Sequence, residues 1–240
     1  NLVLSIYEDT NKDIWVASER EQLNYLDKKE NKLKQFDQPV YKKNKLGARS
    51  ISSFFEDTFG NFWFSSSEYG LYYSNSKKNS FRHYSTENAV SEVLNSNTIT
   101  CFYESKDGTI WIGTDGGGIT SFDKDKRKFK NYGSGDGLPT SVIVDIKEDK
   151  EGNLWLASIN RGIVKFDPVK RAFTHYENNP SNPASLIYNN VKSLLIEDSI
   201  IWIGTFGEGL SAFDLRKDRF IHHQNNDVFP FDMSLPAWIN

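Results

Sequence analysis

The chain has 240 residues, 38% hydrophobic and 14% aromatic, with a formal net charge of −3 and a sequence pI near 5.9. That is ample material for a packed core and no clustered positive field of the kind a nucleic-acid surface needs. The single cysteine, Cys101, excludes an internal disulfide and leaves the redox compartment open; no run approaches the ~20 apolar residues of a membrane helix, and no signal peptide opens the chain.

In chain order the dominant feature is a repeat. Trp15, Trp63, Trp111, Trp155 and Trp202 stand 48, 48, 44 and 47 residues apart. Seven before each of the first four comes Glu8, Glu56, Glu104 or Glu148, whereas Glu197 stands only five before Trp202, so the fifth repeat has lost two turn residues. Twelve after each Trp comes Asp27, Asn75, Asp123, Asp167 or Asp214, and twenty-one after comes Phe36, Tyr84, Tyr132, Tyr176 or His223. The stretch from that last position to the next Glu runs 20, 20, 16 and 21 residues, so length varies mainly in one connection per repeat.

Each repeat reads as four short strands. In the fourth, apolar or aromatic runs at 142–146, 153–158, 162–166 and 172–176 are separated by Glu148-Asp-Lys-Glu-Gly-Asn153 and Asp167-Pro-Val-Lys-Arg171, which carry tight-turn chemistry. Four strands repeated at this period predict an all-β fold: a β-propeller whose five four-stranded antiparallel blades form a segment of a larger array. The predicted blades are about 1–40, 41–88, 89–136, 137–180 and 181–233. Leu235-Pro-Ala-Trp-Ile239 repeats the phrase that precedes the fourth blade, so 234–240 reads as the start of a sixth, cut short. The first strand of a blade is expected to be buried on both faces, as the apolar runs 142–146 and 99–103 suggest. The five tryptophans are expected to anchor one blade to the next, and Cys101 to be a small buried residue.

Glu104-Ser-Lys-Asp-Gly-Thr-Ile-Trp-Ile-Gly-Thr-Asp-Gly-Gly-Gly-Ile119, Glu148-Asp-Lys-Glu-Gly-Asn-Leu-Trp-Leu-Ala-Ser158 and Ile201-Trp-Ile-Gly-Thr-Phe-Gly-Glu-Gly-Leu210 resemble the two-component regulator propeller repeat of periplasmic sensor regions in Bacteroidetes-type hybrid two-component systems. The resemblance runs through all five repeats and is weakest in the first, where Ser18-Glu-Arg-Glu-Gln22 replaces the Gly-rich phrase. It implies propellers usually of seven blades, a following β-sandwich domain, a membrane helix and a histidine kinase beyond this segment. It also implies glycan or oligosaccharide ligands, a homodimer in the full-length sensor and a periplasmic location. No nucleic acid is an expected partner of this segment.

The residues themselves give little support to catalysis. Recurring Glu-Asp pairs fall at the same place in successive blades, which is the mark of scaffold, although a carboxylate pair at the right separation could hydrolyse a glycoside. Ser105-Lys-Asp-Gly-Thr-Ile-Trp111 departs from the sialidase Asp-box in its Gly and Trp spacing. His83, His175, His222 and His223 show no metal-ligand spacing, and Gly116-Gly117-Gly118 lacks the Lys and helix of a phosphate loop, so no metal or cofactor is expected. The basic run from Lys124 to Lys130 reads as a solvated hairpin tip.

Blade topology puts the first and third turns on one face, and the middle turns with the variable connections on the other. The middle turns differ between repeats while their flanks do not, and difference on a constant scaffold is where ligand chemistry is most easily placed. The candidate ligand-binding residues are therefore Arg20, Glu68, Tyr69, Asp115, Asn160, Arg161, Phe206 and Glu208. Aromatics there could stack on a sugar face while charged groups hold hydroxyls or an acidic group. The expected function is a non-catalytic extracytoplasmic sensor segment that recognises glycan fragments or relays their binding; the alternatives are a protein-interaction propeller scaffold and a glycoside hydrolase or lyase.

Overall fold

Every strand is short because each repeat alternates four or five sheet-forming residues with a turn signal. The computed structural model describes residues 3–18, 23–35, 51–66, 69–75, 80–87, 93–124 and 126–221. Five four-stranded antiparallel sheets result, each in simple sequential strand order, with a single 3-10 turn, Ser134–Asp136, as the helical element among the described residues. Blade 1 holds β1 (Val3–Glu8), β2 (Ile14–Ser18), β3 (Asn24–Asp27) and β4 (Lys32–Gln35); blade 2 holds β5 (Ile51–Glu56), β6 (Phe62–Ser66), β7 (Gly70–Asn75) and β8 (Ser80–Tyr84). Blade 3 holds β9 (Ile99–Glu104), β10 (Ile110–Thr114), β11 (Ile119–Asp123) and β12 (Lys128–Tyr132). Blade 4 holds β13 (Ile143–Glu148), β14 (Leu154–Ser158), β15 (Ile163–Asp167) and β16 (Ala172–Tyr176), and blade 5 holds β17 (Val191–Glu197), β18 (Ile200–Thr205), β19 (Leu210–Asp214) and β20 (Arg219–Ile221). The first strand pair of each blade carries an irregularity near the same end, a bulge that adds twist to the hairpin. The chain divides into two compact units, Asn1–Gly116 with Thr120–Asn131, and Gly117–Ile119 with Tyr132–Asn240.

The strands buried throughout are second strands, not first ones. All five residues of β10 and of β14 are buried, whereas β9 and β13 are only partly so, which corrects the expectation for 99–103 and 142–146. The reason lies in strand order: the first strand is an edge of its sheet, while the second has a hydrogen-bonded neighbour on each side. Cys101, on β9, is accordingly half-buried rather than buried.

Within the first unit Trp15 stacks on Phe54 of the next blade, with ring centroids 5.3 Å apart, and Trp63 meets Phe122 of the blade after its own at 5.2 Å. Within the second, Trp155 packs on Phe213 of blade 5 at 5.2 Å. Trp15, Trp63, Trp111 and Trp155 are 7%, 0%, 4% and 0% exposed. Each of these indoles needs a partner for its N–H once water is removed. Nε1 donates to Asp9 at 2.9 Å, Asp57 at 3.0 Å, Ser105 at 2.6 Å and Asp149 at 2.9 Å, the residue after the recurring Glu in every case. The same carboxylates accept turn amides: Asp149 Oδ1 takes the N–H of Glu151 at 3.0 Å and of Asn153 at 2.8 Å. In blades 1, 2 and 4 one acidic residue thus closes the first turn and holds the tryptophan, while in blade 3 the Ser105 hydroxyl holds it.

Trp202 differs. Its hairpin is two residues shorter, the capping carboxylate is missing, and the half-buried indole reaches Glu197 at 3.4 Å instead.

The recurring Glu links neighbouring blades. Glu56 accepts Thr10 N–H and Oγ1–H, both at 2.8 Å, and Glu104 accepts the same pair from Thr58, both at 2.8 Å. Between blades 4 and 5 the corresponding turn residue is Lys150, which reaches Asp198 at 3.3 Å. At the third turns Asp27, Asp167 and Asp214 each accept two amide N–H groups of the following turn. Asn31, Arg127, Arg171 and Asp218 close those turns at positive φ. Lys124 does not belong to the solvated tip expected of 124–130. Its ammonium is drawn to Glu104 at 2.5 Å and lies 4.6 Å from the centre of the Phe59 ring.

Candidate functional site

The middle turns are tied to the connections and to the ends of the fourth strands. Gly70 N–H donates to Asn97 O at 3.1 Å, Gly162 N–H to Asn189 O at 2.7 Å, and Gly118 N–H to Ser141 O at 2.9 Å. These glycines have φ of 88°, 64° and 79°, and a Cβ on any of them would lie 2.3 to 2.6 Å from the backbone oxygen of Tyr84, Tyr176 or Tyr132. Glycine recurs here because the last residue of the fourth strand passes over it, and phosphate binding has no part in it.

Histidine completes the clamp in two blades. Nε2 of His83 lies 2.5 Å from Tyr69 O, and Nε2 of His175 lies 2.6 Å from Arg161 O. A carbonyl only accepts, so Nε2 carries the proton in both. The side chains of Tyr69 and Arg161 project from turns whose backbones are held in this way. Tyr69 is 48% exposed, and the exposed Arg161 guanidinium has no partner among the described residues.

Asp115 is exposed, with its N–H on Thr98 O at 2.8 Å and its carbonyl accepting Ser96 Oγ at 2.6 Å. Asn160 is exposed at φ 66°. Phe206, 43% exposed, donates its N–H to Asn190 O at 2.8 Å and lies under Lys192 Nζ, 5.8 Å from the ring centre. Glu208 is exposed in the same turn. The described candidates occupy four separate turns, two in each unit, and Asn160 adjoins Arg161 as Phe206 neighbours Glu208. Arg20, Glu68, His222, His223 and the 234–240 phrase with Trp238 lie outside the described residues.

No motif in the sequence marks a cleft in the second unit. A cavity of about 720 Å³ opens between the fourth strands β16 and β20, walled by the connection that follows β16. His175, whose ring holds the Arg161 carbonyl, also lines it, so the cleft begins where the blade 4 middle turn ends. Tyr176, Phe213 and Phe220 form its aromatic side, meeting edge to face with centroids 4.9 to 6.1 Å apart. Tyr176 Oη donates to Asp218 at 3.2 Å.

Burial pushes the Tyr176 phenol up to about 12, and the negative charge of Asp218 adds to the shift. A raised phenol pKa favours the neutral, protonated form in the folded state. The associated stability is present below about pH 10 and lost as pH rises toward 12. Ultraviolet difference titration is expected to show an ionisation near pH 12 that Tyr176→Phe removes.

No group of three His, Cys, Asp or Glu that could hold a metal ion occurs among the described residues, and none of their helices is long and apolar enough to cross a membrane. Residues 93–116 and 137–160 match the two component regulator propeller family; each stretch covers a connection, the first hairpin and part of a middle turn. Two stretches of the chain, one in blade 3 and one in blade 4, thus match this repeat family. No curated protein matches the chain. Among solved structures, two extracellular domains attributed to hybrid two component systems of B. thetaiotaomicron share the fold of these regulator propeller repeats. One is 21% identical, covers 92% of this chain and 30% of its own, and has a TM-score of 0.71. The other is 20% identical, with 95% and 36% covered and a TM-score of 0.66. The chain therefore spans about a third of the length of either domain. Virginiamycin B lyase from Staphylococcus aureus is similar at 13% identity, a TM-score of 0.65, and coverage of 93% of this chain and 71% of the lyase. Blades of this kind thus also occur in an enzyme, and fold alone does not assign chemistry.

Proposed function

We propose that this chain is a non-catalytic segment of the extracytoplasmic, periplasmic sensor of a hybrid two-component signalling protein, and that it recognises glycan fragments or relays their binding toward a histidine kinase elsewhere in that protein. The observation that carries the reading is the contrast between turns. The first turns of blades 1, 2 and 4 repeat one Asp–Trp device, whereas the braced middle turns present a different side chain in each described case: Tyr69, Asp115, Arg161, Phe206. A backbone held by hydrogen bonds on both sides with an unrepeated side chain outward suits recognition, because little entropy is lost on binding. The regulator propeller match and the similarity to extracellular domains of hybrid systems support the sensory context.

Titration calorimetry of the chain with oligosaccharides tests this. Weak to moderate binding without cleavage is expected, with Tyr69→Ala and Arg161→Ala each costing about 1–3 kcal/mol and Lys126→Ala, on a third turn, costing nothing. Binding lost in the Lys126 variant alone would move the site to the opposite face. Release of a cleaved product would make the segment an enzyme.

A further inference from the structure

The connections between blades carry a second column of side chains that differ on a constant backbone. Three connections accept a middle-turn N–H at the same position, on the carbonyl of Asn97, Ser141 or Asn189, from the glycine seven residues after the preceding tryptophan. The residue just before that position is Ser96, Thr140 or Tyr188. Ser96 and Thr140 fold back on the chain, each hydroxyl accepting the N–H two residues on at 3.1 Å, and Ser96 also donates to Asp115 O at 2.6 Å. A phenol is too long to reach its own backbone in that way. The Tyr188 hydroxyl makes no hydrogen bond among the described residues, and the residue is 40% exposed.

The backbone that carries Tyr188 is fixed nonetheless. Asn189 O takes Gly162 N–H at 2.7 Å and Asn190 O takes Phe206 N–H at 2.8 Å, so two consecutive carbonyls bolt the middle turns of blades 4 and 5 to the connection. Thr205 closes the blade 5 turn by donating its N–H and its Oγ1–H to Gly209 O, both at 2.9 Å. A Cβ on Gly207 would meet Tyr188 Cε1 at 3.6 Å, so the tyrosine ring borders the turn that exposes Phe206. Lys192 Nζ lies 5.8 Å from the centre of the Phe206 ring, and it makes no hydrogen bond or ion pair among the described residues, so its three donors remain available. Glu208, two residues after Phe206, is exposed and likewise without a partner among the described residues.

We propose that Tyr188 is the stacking platform of a saccharide site on the middle-turn face of blades 4 and 5, taking the apolar C–H face of a pyranose ring whose hydroxyls meet Lys192 and Glu208. A sugar hydroxyl both donates and accepts, so an ammonium at Phe206 and a carboxylate two residues on suit it. The assignment rests on the glycan reading above and deepens it with two binding residues, Tyr188 and Lys192, that the repeat pattern does not single out.

An array of plant, bacterial and animal oligosaccharides probed with the whole chain, followed by calorimetry on the strongest hit, tests it. Tyr188→Ala is expected to weaken that hit about 10-fold and Lys192→Met about 3-fold, whereas Tyr188→Phe stays within about 2-fold of wild type because stacking needs the ring and not the hydroxyl. The thermal midpoint of each variant checks that the bolted turns persist. Wild-type affinity in both Tyr188→Ala and Lys192→Met overturns the proposal; if Arg161→Ala or Tyr69→Ala weakens the hit instead, the glycan reading stands with its site on other turns. Equal losses in Tyr188→Ala and Tyr188→Phe overturn the stacking role. An array on which nothing binds overturns the proposal and the glycan reading together.

Discussion

Trp155→Ala is expected to lower the thermal midpoint of the chain by roughly 10 °C, while Trp202→Ala lowers it by half that or less. Trp155 is fully buried, packs on Tyr176 at 5.6 Å and Phe213 at 5.2 Å, and lies in the cluster that joins blades 4 and 5. Truncating such a residue loses the transfer energy of about 200 Å² of surface and leaves a cavity, together about 3–5 kcal/mol. At this chain length each kcal/mol is worth about 2–4 °C. The change also strips the indole donor from Asp149, a carboxylate that is itself 1% exposed. Trp202 starts half-buried with a longer bond of 3.4 Å, so it has less to lose. Differential scanning calorimetry of the two variants decides the matter. Equal midpoints would mean that the short fifth hairpin holds its tryptophan as well as the capped hairpin of blade 4.

Gly162→Ala should destabilise by about 2–4 kcal/mol although it adds one methyl group. At φ 64° an L side chain is already strained, and the new Cβ would lie 2.3 Å from Tyr176 O and 2.9 Å from Leu186 Cδ2. The first obstacle is backbone and the second a side chain with no exposed surface, so neither can swing aside cheaply. Gly135→Ala is the control: nothing lies within 4 Å of its Cβ and its backbone is not left-handed, so a change within about ±0.5 kcal/mol is expected. Urea unfolding of both variants measures the difference. Parity of the two glycine variants would mean that the fourth strand can slide away from the middle turn, and the braced-turn account would fall with it.

The repeat, the four strands per blade and the tight turns were legible because they depend on neighbours within a few residues: β-branched and aromatic runs, Gly and Asn at positive φ, Pro and Asp in hairpins. Even the loss of two residues before Trp202 could be read, and the structure shows its indole reaching Glu197 where the other blades offer the residue after the recurring Glu. The order of burial could not be read, because an apolar run such as 142–146 does not reveal that its strand is an edge of the sheet. What joins the blades was also hidden. Thr10 meets Glu56 and Thr58 meets Glu104 across 46 residues, Asp145 accepts the N–H of Leu194 across 49, and no local pattern marks these partners. Lys124 looks like one more charge on a hairpin tip until the fold brings Glu104 and Phe59 to it. The cleft belongs wholly to tertiary structure. Its lining residues come from the end of one blade, the connection after it and the outer strands of the next, and only packing brings them together.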